Sequence, residues 1–144
     1  MSPPGPEPVV VDSNVFSAEL VRSGAVLAED YRGILKGRAV YISFVTDAEV
    51  RFGASLAGWG DVRNRRVELR LAAATVVWSG PELVERYVAL RVWCMRNGHG
   101  LGQKIHEADR WTAATAMLLN VPLVAHDAVF RDVMGLELIT TLPT

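Results

Sequence analysis

Val9-Val10-Val11-Asp12-Ser13-Asn14 decides how the chain is read: three β-branched apolar residues, then an abrupt change to residues that stop strands and cap helices. A strand apolar on both faces is one covered on both sides. Similar short runs recur at Val40 to Ser43, Thr75 to Trp78, Pro122 to Ala125 and Leu136 to Thr140. Helical patterns fill the gaps: through Leu20, again around Ala25 to Leu35, Thr46 to Leu56 before the Gly58-Trp59-Gly60 break, and Asp61 to Ala73. A longer one starts at Ser79-Gly80-Pro81-Glu82 and stops at Gly98, and the last covers Glu107 to Leu119. Strand and helix alternate, so the spacing predicts an α/β fold, a three-layer α/β/α sandwich around a central, mostly parallel sheet. Gly98-His99-Gly100-Leu101-Gly102 reads as a flexible loop.

The chain has 144 residues, 50% of them hydrophobic, which suits one domain with a full core. Residues 1–8 hold Pro3, Pro4, Pro6 and Pro8 and read as a flexible tail, leaving residues 9–144 as the domain. Lys+Arg 15 against Asp+Glu 16 excludes the global basic charge of a non-specific nucleic-acid binder, so any such contact is a local patch. Cys94 is the single cysteine, which excludes an internal disulfide and agrees with a reducing cytoplasm; its apolar helix makes it a packed thiol. The start of the chain lacks a signal-peptide pattern, and the longest apolar stretch, Trp111 to Ala125, is broken by Asn120 and Pro122, so no membrane partner is expected.

Acids fall where such a fold places a site. Ligands of parallel sheets bind beyond the carboxyl ends of the strands. Asp12 and Asp127 each follow an apolar strand, and helices starting at that edge carry Glu49 and Asp109. On the Thr46 to Leu56 helix, Val45, Glu49, Phe52 and Leu56 share one stripe with no lysine or arginine on it. A carboxylate aligned with an apolar stripe needs a cation, a donor or a raised pKa. Asp109 shares a face with Ala113 and Ala116, small residues that let its helix approach the sheet. Taken singly, each acid is better explained locally: Asp12 or Ser13 as a helix cap, Thr46-Asp47-Ala48-Glu49 as a capping box, Asp109 as a first-turn acid, Asp127 as a turn residue. Their common edge favours a shared divalent ion, Mg²⁺ or Mn²⁺, which prefer several hard oxygen ligands.

Other conspicuous residues have plainer readings. Arg63, Arg66 and Arg70 recur on one helix face and fit either RNA phosphates or solvent. Trp59, between two glycines, fits a stacked base or an apolar partner, whereas Trp78 and Trp93 read as core. His99, His106 and His126 lack metal-ligand spacing and read as surface or polar-contact residues, and Glu107 reads as a first-turn acid.

Four segments in order, Asp12-Ser13-Asn14 after a strand, Ser43 to Glu49, Asp109 to Ala116 and His126-Asp127-Ala128-Val129-Phe130, closely resemble the PIN domain of VapC-type toxins. The resemblance covers nearly the whole chain after the tail. It departs at Thr112, where the family usually has an aliphatic residue, and at Ala125, where a threonine or serine is common. It implies a Mg²⁺- or Mn²⁺-dependent endoribonuclease, the toxin of a type II toxin-antitoxin pair, with Asp12, Glu49, Asp109 and Asp127 as catalytic and metal-binding acids. Ser13 and Thr46 would support them, and Trp59, Arg63, Arg66 and Arg70 would contact RNA or antitoxin. The implied partners are a VapB-type antitoxin, an RNA substrate such as tRNA or rRNA, and a second copy in a homodimer. An aspartyl-phosphate phosphohydrolase would need a second acid where Asn14 stands. A non-catalytic RNA-binding or scaffold module would not need the four acids, and a DNA-directed nuclease of related fold is the remaining alternative.

Overall fold

The computed structural model describes residues 5–144. Residues 1–4 of the tail lie outside the described residues, and 5–8 carry neither helix nor strand. Five strands form one parallel sheet: β1 (Val9–Val11), β2 (Val40–Ser43), β3 (Thr75–Val77), β4 (Leu123–Val124) and β5 (Leu138–Ile139), in the order β3-β2-β1-β4-β5. The register pairs Val9 with Val40 and Val10 with both Tyr41 and Leu123, so β1 is the central strand. Six α-helices accompany it: α1 (Ser13–Ser17), α2 (Ala25–Leu35), α3 (Phe44–Leu56), α4 (Asp61–Ala72), α5 (Pro81–Asn97) and α6 (Glu107–Leu119).

The triple valine explains the layering through the two-residue period of a strand. Val10 points into a core shared with Leu83, Leu90, Leu101, Ala113 and Leu123, under α5 and α6. Val9 and Val11 point the other way, into a core of Val15, Phe16, Tyr31, Ile42, Val50 and Leu71, under α1 to α4. All three valines are fully buried, as the double-sided reading of the strand requires. The chain winds outward from β1 through β2 to β3, then returns to place β4 on the other side of β1. The carboxyl end of β1 is therefore the switch point of the sheet, where a cleft forms between helices that leave in opposite directions.

The structure corrects several expectations. Trp78 is 66% exposed, because β3 ends at Val77 and the edge strand has no layer to cover the next side chain. Trp93, by contrast, packs partly buried on the α5–α6 core. On α3 the buried residues are Thr46, Asp47, Val50 and Ala54, while Phe52 and Leu56 are exposed. The helix thus presents its small and polar side chains to the sheet, which allows closer approach than the large apolar stripe would. The glycine-rich segment after α5 is ordered into 3₁₀ turns at Gly100–Gly102 and Lys104–His106 around a fully buried Leu101. His99 braces it, accepting from the Leu101 amide at Nδ1 (3.0 Å) while Nε2 donates to the Arg131 carbonyl (2.7 Å). The helix after β1 also stops early at Ser17 and continues as 3₁₀ turns at Ala18–Leu20 and Arg22–Gly24. Gly24 is required there, since a Cβ on it would lie 2.2 Å from the Ala18 carbonyl oxygen.

Candidate functional site

Asp12 extends β1 by one ladder bond, its amide donating to the Val124 carbonyl at 2.9 Å, before the chain turns into α1. Asp12 is 4% exposed and has no basic partner among the described residues. Burial, and after it the negative charge of Asp109, raises its pKa from 3.8 to about 7; Glu49 and Asp127 add to the rise, and a hydrogen bond from the Ser13 backbone opposes it. The three acids that perturb Asp12 are the three others singled out in the sequence, brought there from α3, α6 and the segment after β4. Glu49 is exposed at the mouth of the cleft rather than buried on an apolar stripe. Its carboxyl is also pushed up, first by desolvation against the cleft wall, then by Asp109, with the Ser13 side chain opposing. The Ser13 and Thr46 hydroxyls meet at 2.9 Å and tie the start of α1 to α3 between these acids.

The four acids form an electrostatic cluster, but among the described residues no three His, Cys, Asp or Glu side chains are arranged to hold a metal ion as they stand. Two of the four carboxylates also make local contacts. Asp127 turns back on its own loop, one carboxylate oxygen accepting from the Val129 amide at 2.9 Å. Asp109 is drawn to His106, whose Nδ1 lies 2.7 Å from Oδ2. A desolvated carboxylate with three further acids near enough to raise its pKa, and no basic side chain paired with it among the described residues, is a set of hard oxygen donors that suits a divalent ion. Glu107 stays outside the cluster, held by Tyr87 and Arg110.

A cleft of about 320 Å³ runs from Ser13, Asn14 and Glu49 over Leu20, Val21, Val50 and Ala54 to Trp59. Trp59 is half-buried at its far end, with the Arg63 guanidinium 4.2 Å from the ring centroid. A second cleft, sharing Leu20 and Val21 with the first, is lined by Glu19, Arg22, Arg63 and Arg66. Arg66 spends one guanidinium nitrogen on the Glu19 carbonyl at 3.1 Å. Arg70 does not join them: its Nε donates to the Phe16 carbonyl (3.1 Å), its guanidinium lies over the Phe16 ring, and Glu19 is 3.6 Å away. Arg70 is an internal tether between α4 and α1, and its place along the polar face is taken by Arg22, which helical spacing on α4 could not reveal. The histidine contact to Asp109 was open to a sequence reading, since three positions apart on a helix start is within reach.

The family model for the PIN domain matches residues 9–136. Solved structures share the fold across almost the whole chain. A VapBC2 complex from Rickettsia felis bound to a promoter DNA fragment has a TM-score of 0.75 at 17% identity, covering 92% of this chain and 97% of that one. VapBC-1 from nontypeable Haemophilus influenzae has a TM-score of 0.69 at 22% identity, covering 92% and 96%. VapBC-5 from Mycobacterium tuberculosis, described as a member of the VapBC toxin-antitoxin family, has 0.62 at 21% identity, covering 94% and 99%. No curated protein sequence matches the chain.

Proposed function

Because the chain belongs to the PIN domain family, we propose that it is a VapC-type toxin, an endoribonuclease that works with Mg²⁺ or Mn²⁺ and is held in check by a VapB-type antitoxin. PIN domains are generally nucleases and generally use divalent metals. The observation that carries the reading is Asp12, a buried carboxylate at the switch point whose charged neighbours, Asp109, Glu49 and Asp127, are all acidic. A fold tolerates that arrangement at a cost in stability, and a bound cation removes the cost.

Asp12, Glu49, Asp109 and Asp127 would hold the ion, with the Ser13–Thr46 hydrogen bond tying the start of α1, next to Asp12, to α3, which carries Glu49. A bound divalent ion supplies a water of lowered pKa and neutralises charge on the phosphodiester. One of the four carboxylates would accept the proton of that water. Trp59, backed by Arg63, offers a ring to an unstacked base, while Arg22, Arg63 and Arg66 meet phosphates further along. Attack by water at phosphorus with departure of the 3′-oxygen, which takes up a proton, leaves 5′-phosphate and 3′-hydroxyl ends, with no attack by the ribose 2′-hydroxyl.

Exposed Phe52, Leu56 and Val62 adjoin Trp59 in sequence on α3 and α4, an apolar surface that fits an antitoxin segment. Val84, Val88, Val92 and Met95 form an exposed apolar stripe along α5 that fits a second copy. No helix among the described residues is long and apolar enough to cross a membrane, which accords with a site of action on cytoplasmic RNA. The test is cleavage of a structured RNA such as tRNA by the purified protein with Mg²⁺ or Mn²⁺ and with EDTA, beside Asp12→Asn. Loss of at least about 100-fold in Asp12→Asn, with RNA still bound, is expected. Wild-type cleavage by that variant, or equal cleavage in EDTA, would make the acids structural.

A further inference from the structure

His106 is the one imidazole whose recorded hydrogen bond reaches a member of the acidic cluster. Its Nδ1 lies 2.7 Å from Asp109 Oδ2. An ionised carboxylate only accepts, so Nδ1 carries the proton and donates. The bond commits Oδ2 of Asp109, the acid whose charge acts on both Asp12 and Glu49. Oδ1 is left without a side-chain partner among the described residues.

The placement of the ring is itself built. Arg110, four positions further on and 1% exposed, donates to the Leu101 carbonyl at 2.9 Å and the Gln103 carbonyl at 2.7 Å. Those bonds fix the residues just before the Lys104–His106 turn, and the His106 amide closes it on the Gln103 carbonyl at 3.0 Å. Glu107 and Tyr87 complete the cage around Arg110. His106 is thus delivered to Asp109 by a buried scaffold and not by a free loop.

We infer that His106 is a positioning residue for the cleft, its Nδ1–H holding the Asp109 carboxylate so that Oδ1 is the oxygen offered to a divalent ion. This rests on the cation-binding reading of the four acids. Outer hydrogen bonds of this kind orient ligating carboxylates, and losing them costs metal affinity while the ligands remain. Asparagine separates donor from ring: its amide nitrogen sits the same number of bonds from Cβ as Nδ1, whereas the amide of glutamine sits one bond further out.

The experiment compares wild type, His106→Asn, His106→Gln and His106→Leu by calorimetric titration with Mn²⁺ or Mg²⁺ alone, with melting in EDTA to establish that each is folded. His106→Gln and His106→Leu should bind the ion about 10–100-fold more weakly, and His106→Asn as wild type does. At saturating metal, the KM for RNA should be unchanged in all four. Wild-type affinity in both Gln and Leu variants would overturn the role, as would an Asn variant as weak as Leu. A wild type that takes up no ion at all would remove the cation reading of the cleft and this role with it, an outcome distinct from the first two.

Discussion

Asp12 and Arg110 are the two charged side chains most fully covered among the described residues, 4% and 1% exposed, and the fold treats them in opposite ways. Arg110 is surrounded by acceptors: two loop carbonyls, the Glu107 carboxylate, and the Tyr87 ring 5.9 Å from its guanidinium. Only its Nε lacks a partner among the described residues. Asp12 is surrounded by charges of its own sign, with a backbone hydrogen bond from Ser13 as its relief. Tyr87 shows how far the first arrangement has been tightened, since it stacks on Trp111 at 4.0 Å while its hydroxyl meets both Glu107 oxygens at 2.7 Å. A charge buried to hold the fold is paired within the fold. A charge buried to act is left for something outside the chain to neutralise.

The contrast breaks first at Arg110. Arg110→Ala removes the donors to Leu101 and Gln103 and opens a large cavity between α5 and α6. A loss of about 3–5 kcal/mol in urea unfolding is expected. Less than about 1 kcal/mol would mean that the loop carbonyls find water and that the network is not what holds this layer.

Asp12→Asn should move stability the other way. In EDTA near pH 7.5 it removes a charge repelled by three acids while keeping the side-chain shape, so the variant should be more stable than wild type by roughly 1–3 kcal/mol. Added Mg²⁺ or Mn²⁺ should stabilise wild type and leave the variant nearly unchanged. A variant less stable than wild type in EDTA would show that Asp12 is satisfied in the metal-free protein.

The same residue sets an unusual pH dependence. Its pKa is about 7 in the folded protein against 3.8 ordinarily, so between those values the fold retains a proton that the unfolded chain has released. The contribution of Asp12 to metal-free stability is therefore greatest below about pH 4, falls as pH rises to about 7, and is flat above. Denaturant midpoints in EDTA at pH 5 and pH 7.5 should differ more for wild type than for Asp12→Asn. Equal differences would place the titrating group elsewhere.

Much of this contrast was legible in the chain. The step from Val11 to Asp12 marks a strand end and a site at once, and both β2 (Val40–Ser43) and α6 (Glu107–Leu119) lie where their apolar patterns place them. What failed was reasoning that needed a neighbour. The face of α3 was misjudged because the large residues Phe52 and Leu56 outweighed Thr46, Val50 and Ala54, although close packing onto a sheet selects small side chains. The pause between α1 and α2 depends on Gly24 meeting Ala18, a contact with no periodic signature. Four acids at one edge could be read from strand ends. The His106–Asp109 contact lay within reach of spacing alone, whereas the turn of Asp127 onto the Val129 amide depends on the loop conformation after β4.

The smallest effect expected is at Glu107, and it tests whether Arg110 owes its stability to charge pairing or to the loop carbonyls. The Glu107 side chain is 53% exposed, so its ion pair with Arg110 is screened on one side. Its carboxyl lies below the usual range mainly through the Tyr87 hydroxyl and then through Arg110, which makes it a member of the network and not a bystander. Glu107→Gln removes the charge and one of the two acceptor oxygens, leaving a single amide oxygen to accept from Tyr87 or Arg110. The expected loss is about 0.5–1 kcal/mol, smaller than that of Arg110→Ala because the Leu101 and Gln103 carbonyls still hold the guanidinium. A loss as large as that of Arg110→Ala would mean that the carboxylate is the principal partner of Arg110. The two buried charges would then differ only in whether their acidic neighbours oppose or share their own sign, and not in how far backbone carbonyls satisfy the structural one.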